Sequence, residues 1–245
     1  MTGPAILPRP LRVKPAFVRN CSAMATITSA NHSQLLEVSR YFQACGLSGW
    51  DWSLFQPIGR GRQNKELRAE MDFDIEPLIV SWNQLFDAVV NCEFDGFTVS
   101  PVLKYVENFI NGPGRNMCMR KECGAGRDLL SLSSDGQIEA CDCIDPKGPL
   151  ANLGNLKLVT LSAARESETA RRIRSRQVER HKCGDCLWLA VCGGTCLARA
   201  RDLHGVHEEE CQLALNAFDR ISQHLAESTR LVDYLNSCYG REAKG

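Results

Sequence analysis

The sequence has neither a long hydrophobic run nor an excess of charge of either sign. No uninterrupted apolar stretch reaches the roughly 18 residues that a membrane-spanning helix needs. Proline and arginine interrupt the apolar residues near the start, so we expect no signal peptide. Lysine plus arginine number 29, as do aspartate plus glutamate, so net charge does not favour nucleic acid or an anionic membrane as a partner. We therefore expect a cytoplasmic protein.

Cysteine is the residue in excess, with thirteen in the chain of 245 residues, most of them from Cys118 onward. In a cytoplasmic protein these thiols are reduced, which favours metal or cluster ligation over disulfides. Twelve residues separate Cys123 from Gly136, and four separate Gly136 from Cys141. A tighter Cys-x2-Cys-x5-Cys-x3-Cys run and one later cysteine follow. The candidate ligands in chain order are Cys118, Cys123, Cys141, Cys183, Cys186, Cys192, Cys196 and Cys211.

These eight thiols match the number that two [4Fe-4S] clusters require. Gly193 and Gly194 lack side chains, so the backbone between Cys192 and Cys196 can approach a cluster and donate N–H bonds to sulfur. Two structural zinc sites remain the alternative, because four cysteines also hold zinc. Cys143 is either an exposed thiol or a substitute ligand.

The first part of the sequence alternates strand-like and helix-like patterns. This alternation predicts parallel strands with right-handed crossovers in an α/β sheet or barrel. Residues 111–114 (Asn-Gly-Pro-Gly) then mark a domain boundary. The predicted strands cover residues 25–29 and 49–55, and the predicted helices cover residues 32–45, 75–90 and 101–110.

Beyond this boundary we predict a small α+β module. Asp135 and Gly136 between two apolar runs predict a two-residue hairpin. A charged helical stretch over residues 158–180, a cysteine-rich loop and a final amphipathic helix over residues 209–236 follow. The predicted domains are therefore residues 1–112 and residues 113–245.

The cysteine spacing, with the strings GRNMCMRKECGAG and DGQIEACDC and the turn at residues 153–155, resembles the SPASM domain of radical S-adenosylmethionine (SAM) enzymes. The resemblance is to peptide maturases, including anaerobic sulfatase maturases. The earlier part, with FQPIGRG, is similar to the end of the partial (β/α) barrel that precedes SPASM domains. The fold class implied is an α/β partial barrel segment followed by an α+β SPASM iron-sulfur module. The resemblance also implies an interleaved pairing, with Cys118, Cys123, Cys141 and Cys196 on one cluster and Cys183, Cys186, Cys192 and Cys211 on the other.

The sequence departs from that family in one respect. Radical SAM enzymes hold a third [4Fe-4S] cluster, which binds SAM, through Cys-x3-Cys-x2-Cys, and this triplet is absent here. After Cys192-x3-Cys196, the third position is Arg199. We therefore expect a truncated or split enzyme whose radical-generating half is a missing N-terminal segment or a partner subunit. Without that half, the strands of residues 1–112 should have unpaired edges and depend on a partner for solubility.

The resemblance implies a precursor peptide or protein as substrate. It also implies a role for Asp142 as general base, although an aspartate in a loop is as easily a backbone hydrogen-bond acceptor. Three functions remain open at this point: the C-terminal portion of a radical SAM peptide maturase, a stand-alone electron-transfer or peptide-binding module, and a zinc-stabilised structural protein.

Overall fold

A computed structural model describes residues 21–56, 64–112, 118–180, 182–200 and 203–239 of the chain. The chain forms two compact units, each with its own hydrophobic interior. No described helix is long and apolar enough to cross a membrane. Among the described residues, the first unit comprises 21–56, 64–110 and 216–239, and the second comprises 111–112, 118–180, 182–200 and 203–215.

The first unit is built on a parallel sheet in the order β1-β2-β3. These strands are β1 (Ser22–Ile27), β2 (Gly49–Leu54) and β3 (Thr98–Val99). β1 pairs with β2 along its whole length, from Ser22 opposite Gly49 to Ile27 opposite Leu54. The predicted mixed α/β class with parallel strands is confirmed. β3 was not predicted, because two residues are too short to show an alternating pattern.

Four helices connect and follow these strands. They are α1 (Leu35–Ala44), α2 (Lys65–Met71), α3 (Ile75–Val90) and α4 (Ser100–Asn111). The bounds of α3 agree with the prediction because its buried Leu78, Trp82, Leu85 and Val89 recur at helical spacing. Trp82 is fully buried, and its indole N–H donates to the carbonyl of Pro101 at 2.9 Å, which fixes α3 against α4.

The second unit contains an antiparallel sheet in the order β4-β5-β6. The strands are β4 (Ser131–Leu132), β5 (Gln137–Glu139) and β6 (Asn152–Asn155). The prediction of a two-residue hairpin was wrong, since the Ser133 N–H bonds the Gln137 carbonyl at 3.0 Å across a longer loop. Gly136, with φ of 85°, supplies the left-handed residue that closes such a loop.

The helical stretch predicted over residues 158–180 is three short segments. They are α5 (Leu161–Arg165), α6 (Glu168–Arg174) and a 3-10 turn (Val178–Arg180). The break comes from Ser167, whose hydroxyl accepts from the N–H of Ala170 at 3.2 Å and so begins a new helix. A last short helix, α7 (Leu189–Cys192), and a 3-10 turn (Leu197–Arg199) lie among the cysteines.

The predicted final helix is also two helices, α8 (Glu208–Glu227) and α9 (Arg230–Tyr239). The Ser228 hydroxyl accepts from the N–H of Arg230 at 3.2 Å and separates them. The residues from Asn216 onward belong to the first unit, whereas the sequence assigned them to the cysteine module. The reason is apolar packing: Phe218 is fully buried and its ring lies 5.6 Å from that of Tyr105 in α4.

Candidate metal centre

Four thiols of the second unit surround one cavity with a largely apolar lining. We call Cys118, Cys123, Cys141 and Cys196 the first thiol group; all four line this cavity. Apolar side chains of Ala125, Leu129, Ile144, Leu197 and Ala198 complete much of its wall. Residues far apart in the sequence thus present four sulfur atoms to one space.

Backbone hydrogen bonds hold the segments of the first thiol group together. The N–H of Gly126 donates to the carbonyl of Ala140 at 2.8 Å, which joins the turn after Cys123 to the residue before Cys141. Ala140 in turn donates to the carbonyl of Ala151 at 2.9 Å. Cys141 therefore follows β5 at a fixed place beside Cys123.

Within the first thiol group, Cys118 and Cys196 interact directly. A hydrogen bond between their thiols, followed by burial, raises the pKa of Cys196 well above its usual value. The N–H of Cys196 donates to Glu210 Oε2 at 3.1 Å, and the other oxygen of Glu210 pairs with Arg199. Arg199, at the position where a third cysteine would stand in a SAM-binding triplet, is thus an ion-pair partner in the described structure.

The other four thiols form a second set, also within the second unit. We call Cys183, Cys186, Cys192 and Cys211 the second thiol group; Cys183 and Cys211 pack with Val178, Val206 and Leu189. Burial, and then the repulsion of its thiolate by Cys211, Cys192 and Cys186, raise the pKa of Cys183 to about 11. Four neighbouring thiols become thiolates together only with a compensating cation, which iron or zinc would supply.

A turn of left-handed residues connects the two groups. Gly193, Gly194 and Thr195 have φ of 70°, 88° and 60°. Burial raises the pKa of Cys192, while the N–H groups of Gly194 and Thr195 donate to its sulfur and oppose that effect. Successive N–H groups in such a turn form an anion-binding nest, which suits a thiolate ligand.

A side chain at Gly193 would not fit. Its Cβ would lie 2.1 Å from the carbonyl carbon of Arg120 and 2.4 Å from the Arg120 Cα. A Cβ at Gly194 would lie 2.8 Å from a methyl group of Val178. Both glycines therefore allow close approach of backbone segments, and Gly193 brings the turn against the Cys118–Cys123 loop.

The distances between the sulfur atoms of each thiol group help to distinguish a zinc ion from an iron-sulfur cluster. Among the described residues, only Cys141, Asp142 and Cys143 form a trio of metal-ligating side chains whose ligand atoms all lie within 4.8 Å of one another. A zinc ion with Zn–S bonds of about 2.3 Å would draw four sulfurs to within about 4 Å of one another. Neither thiol group is that compact, and a cavity lies between the members of the first group. This arrangement fits a cluster with one thiolate per iron.

Cys143 and Asp142 lie beside the first thiol group. The N–H of Cys143 donates to the Cys141 sulfur at 3.4 Å, and a hydrogen bond between the two thiols raises the pKa of Cys141. Asp142 is exposed, and its Oδ1 is 3.4 Å from the same sulfur. Cys143 is thus a fifth thiol beside the first thiol group, which sequence spacing left unassigned.

The other four cysteines and the described His204 lie outside both thiol groups. Cys21, Cys45, Cys92 and Cys238 belong to the first unit, and no disulfide joins any of the described cysteines. His204 accepts from the N–H of Gln177 at 3.1 Å, so its ring has a structural partner. The FQPIGRG string from Pro57 onward and the start of GRNMCMRKECGAG lie outside the described residues, as does His181.

No family model matches the chain. A segment of 93 residues is 31% identical to the AdoMet-dependent heme synthase of Nitratidesulfovibrio vulgaris, AdoMet being S-adenosylmethionine. This match covers 38% of the present chain and 24% of that protein. Similarity to the curated relative is thus confined to a part of both.

The fold is similar to that of anSMEcpe, an anaerobic sulfatase maturase. The native protein with bound AdoMet aligns with a TM-score of 0.65 and 16% identity, covering 87% of the present chain and 56% of anSMEcpe. The complex with AdoMet and the Kp18Cys peptide aligns with a TM-score of 0.64 and 15% identity. The predicted resemblance to anaerobic sulfatase maturases is confirmed at the level of the fold. The chain corresponds to little more than half the length of anSMEcpe.

Proposed function

We propose that the second unit is a SPASM-type module that binds two [4Fe-4S] clusters, and that the chain is the C-terminal portion of a radical SAM enzyme that modifies a ribosomal peptide or protein. The observation that carries this proposal is the composition of the cavity. The four thiols that surround it are the four that the resemblance assigns to one cluster, although they come from three separate segments of the chain.

In this proposal each thiol group provides the four ligands of one cluster, and Cys143 is available beside the first. When bound, the clusters would supply one-electron transfer. The chain itself would exclude water from the first cluster with Ala125, Leu129 and Ile144 and donate backbone N–H groups to the ligand sulfurs. A reducing, cytoplasmic compartment would keep all these thiols available for ligation.

Asp142 is proposed as the group that accepts a proton from the substrate. It is exposed directly beside Cys141, so its carboxylate is accessible from solvent. The first unit is proposed to be the last part of a partial (β/α) barrel. SAM and its own [4Fe-4S] cluster would bind to a segment or partner subunit that carries the Cys-x3-Cys-x2-Cys triplet.

A stand-alone electron-transfer or peptide-binding module is the second candidate, because the sequence itself lacks that triplet. Zinc is the third, because cysteine-only ligand sets also hold zinc. The two metals differ in a simple readout, since only clusters contain acid-labile sulfide. Genomic DNA upstream of the coding sequence, translated in all frames, would reveal a triplet-bearing segment if one precedes the chain.

The test of cluster binding is anaerobic reconstitution of the full chain, followed by quantitation of iron, sulfide and zinc. We expect about eight irons and about eight sulfides per chain. The double variant Cys183→Ala with Cys186→Ala should fall to about four irons. Cys92→Ser, which changes an exposed thiol of the first unit, is the matched control and should retain all the iron. Stoichiometric zinc without sulfide in the wild type would defeat the proposal.

A second pair of variants tests the interleaved assignment. Cys192 and Cys196 are close in sequence but belong to different thiol groups, so replacing both should abolish both clusters. Cys118 and Cys196 are distant in sequence but share one cavity, so replacing both should abolish one cluster only. Equal iron in the two double variants would mean that the ligands are paired in another way.

A further inference from the structure

Arg176 is a buried cation without a carboxylate partner in the part of the chain that the structure describes. Its side chain is 6% exposed. Its hydrogen bonds go to backbone carbonyls alone, at Gly194 (2.7 Å), Gly205 (3.0 Å) and Thr195 (3.1 Å). Burying an unpaired guanidinium costs several kcal/mol, on the order of the charge burial penalties seen in proteins. Negative charge from another source should therefore lie nearby.

The ligand thiolates of both groups would be that source once the proposed clusters are bound. Arg176 is within electrostatic range of Cys123 and Cys196 of the first thiol group and of Cys183 and Cys192 of the second. It also lines the cavity of the first group. Arg176 is thus a cation shared by both thiol groups.

The carbonyls that Arg176 binds lie in segments that carry ligand cysteines of both thiol groups. Gly194 and Thr195 lie between Cys192 and Cys196. The guanidinium therefore donates hydrogen bonds to the turn that carries one ligand of each group. Gly205 belongs to the segment that leads to Cys211. The Nε–H of Arg176 is buried and has no hydrogen-bond partner among the described residues. One donor therefore remains for an acceptor such as sulfur.

We propose that Arg176 is a shared positioning cation, which holds the Cys192–Cys196 turn in place and raises the reduction potentials of both clusters. The inference rests on the proposed cluster binding. Reduction adds one negative charge to a cluster, and a desolvated cation nearby stabilises that added charge more than an exposed one does. Loss of the guanidinium should therefore make both clusters harder to reduce.

The test is a redox titration of the reconstituted full chain with dithionite, followed by EPR spectroscopy, on Arg176→Met, Arg176→Gln and Arg176→Lys. For the neutral variants we expect the reduction equilibrium constant of both clusters to fall at least tenfold, about 59 mV for one electron. Arg176→Lys keeps the charge and should restore the potentials toward the wild type. The matched control is Arg172→Met, which removes an exposed arginine four residues earlier and should change neither potential.

The outcomes separate this inference from the proposed function. A wild-type chain without iron and sulfide defeats cluster binding itself. Full iron content with unchanged potentials in Arg176→Met and Arg176→Gln overturns the role of Arg176 alone. If the neutral variants lose iron while Arg176→Lys retains it, the requirement for charge is supported. Equal loss of iron in all three variants would mean that only the shape of the guanidinium matters, which contradicts the electrostatic role.

Discussion

The hydroxyl of Tyr234 accepts a hydrogen bond from the N–H of Val99 at 2.8 Å and donates one to the carbonyl of Phe97 at 3.1 Å. Tyr234 is buried, and burial raises the pKa of its phenol. One side chain of α9 therefore satisfies two backbone groups at β3, more than 130 residues earlier in the chain. This contact explains why the C-terminal helices belong to the first unit.

Replacing Tyr234 by phenylalanine should destabilise the first unit. The ring would still pack, but a buried N–H and a buried carbonyl would lose their partner, at a cost of about 1–3 kcal/mol. Urea denaturation monitored by circular dichroism measures this change. Tyr239→Phe is the matched control, because Tyr239 is 40% exposed and its hydroxyl donates to Glu107 in a solvent-exposed hydrogen bond. Equal destabilisation of the two variants would contradict the importance of the Val99 contact.

Hydrophobic periodicity within single helices and strands predicted much of the first unit. It did not predict the contacts between these elements. The recurrence of Leu78, Trp82, Leu85 and Val89 gave both ends of α3. The same helical periodicity continues through Ser228, so it could not show that this side chain ends one helix and begins the next. Tyr234 lies on an apolar stripe that could pack on any surface, and only the fold shows which surface it contacts.

For the candidate metal centre, the sequence likewise predicted single residues but not the contacts between them. Spacing identified all eight candidate thiols but could not pair them, because Cys192 and Cys196 are neighbours in sequence and belong to different groups. Gly193 and Gly194 were expected to allow close backbone approach, and the approach to Arg120 and Val178 gives that expectation a geometric basis. Arg176 is one of several arginines in the charged stretch over residues 158–180, and no pattern in the sequence distinguishes it from the others, although it is the buried one.

Gly193→Ala should disrupt metal binding. The added methyl group would collide with the backbone of Arg120, and the residue would also be strained by its φ of 70°. We expect loss of iron from both thiol groups, since Gly193 lies in the turn between them. Iron quantitation after anaerobic reconstitution is the measurement.

Gly46→Ala separates the two effects. Gly46 has a φ of 78°, but a Cβ there would meet no atom within 4 Å. This control should therefore show only the backbone cost, about 1–2 kcal/mol, and should keep its iron. If Gly193→Ala keeps its iron as well, close packing against Arg120 is not required.

Cys143 should compensate in part for loss of Cys141. Its thiol is hydrogen-bonded to that of Cys141, so a small backbone adjustment would bring it to the vacated position. We expect Cys141→Ala to retain more iron than Cys118→Ala, and the double variant Cys141→Ala with Cys143→Ala to lose the first cluster. Cys143→Ala alone should retain all the iron. Identical iron content in Cys141→Ala and in the double variant would show that Cys143 does not replace Cys141 as a ligand.

The outer edge of β1 should make the chain prone to association. Among the described residues β1 pairs with β2 alone, so no described strand pairs with the N–H and carbonyl groups of its other edge. Met24 on this strand is 68% exposed. A lysine at an edge strand opposes strand addition by a second chain, so Met24→Lys should lower the concentration-dependent increase in light scattering.

A control for added charge tests whether this association depends on the strand. Leu158 is 85% exposed and lies outside any strand of the second unit, so Leu158→Lys adds the same charge away from the edge. We expect it to reduce scattering less than Met24→Lys does. An equal reduction would attribute the effect to net charge, whereas a larger effect at Met24 supports the edge of β1 as the surface where a further strand pairs.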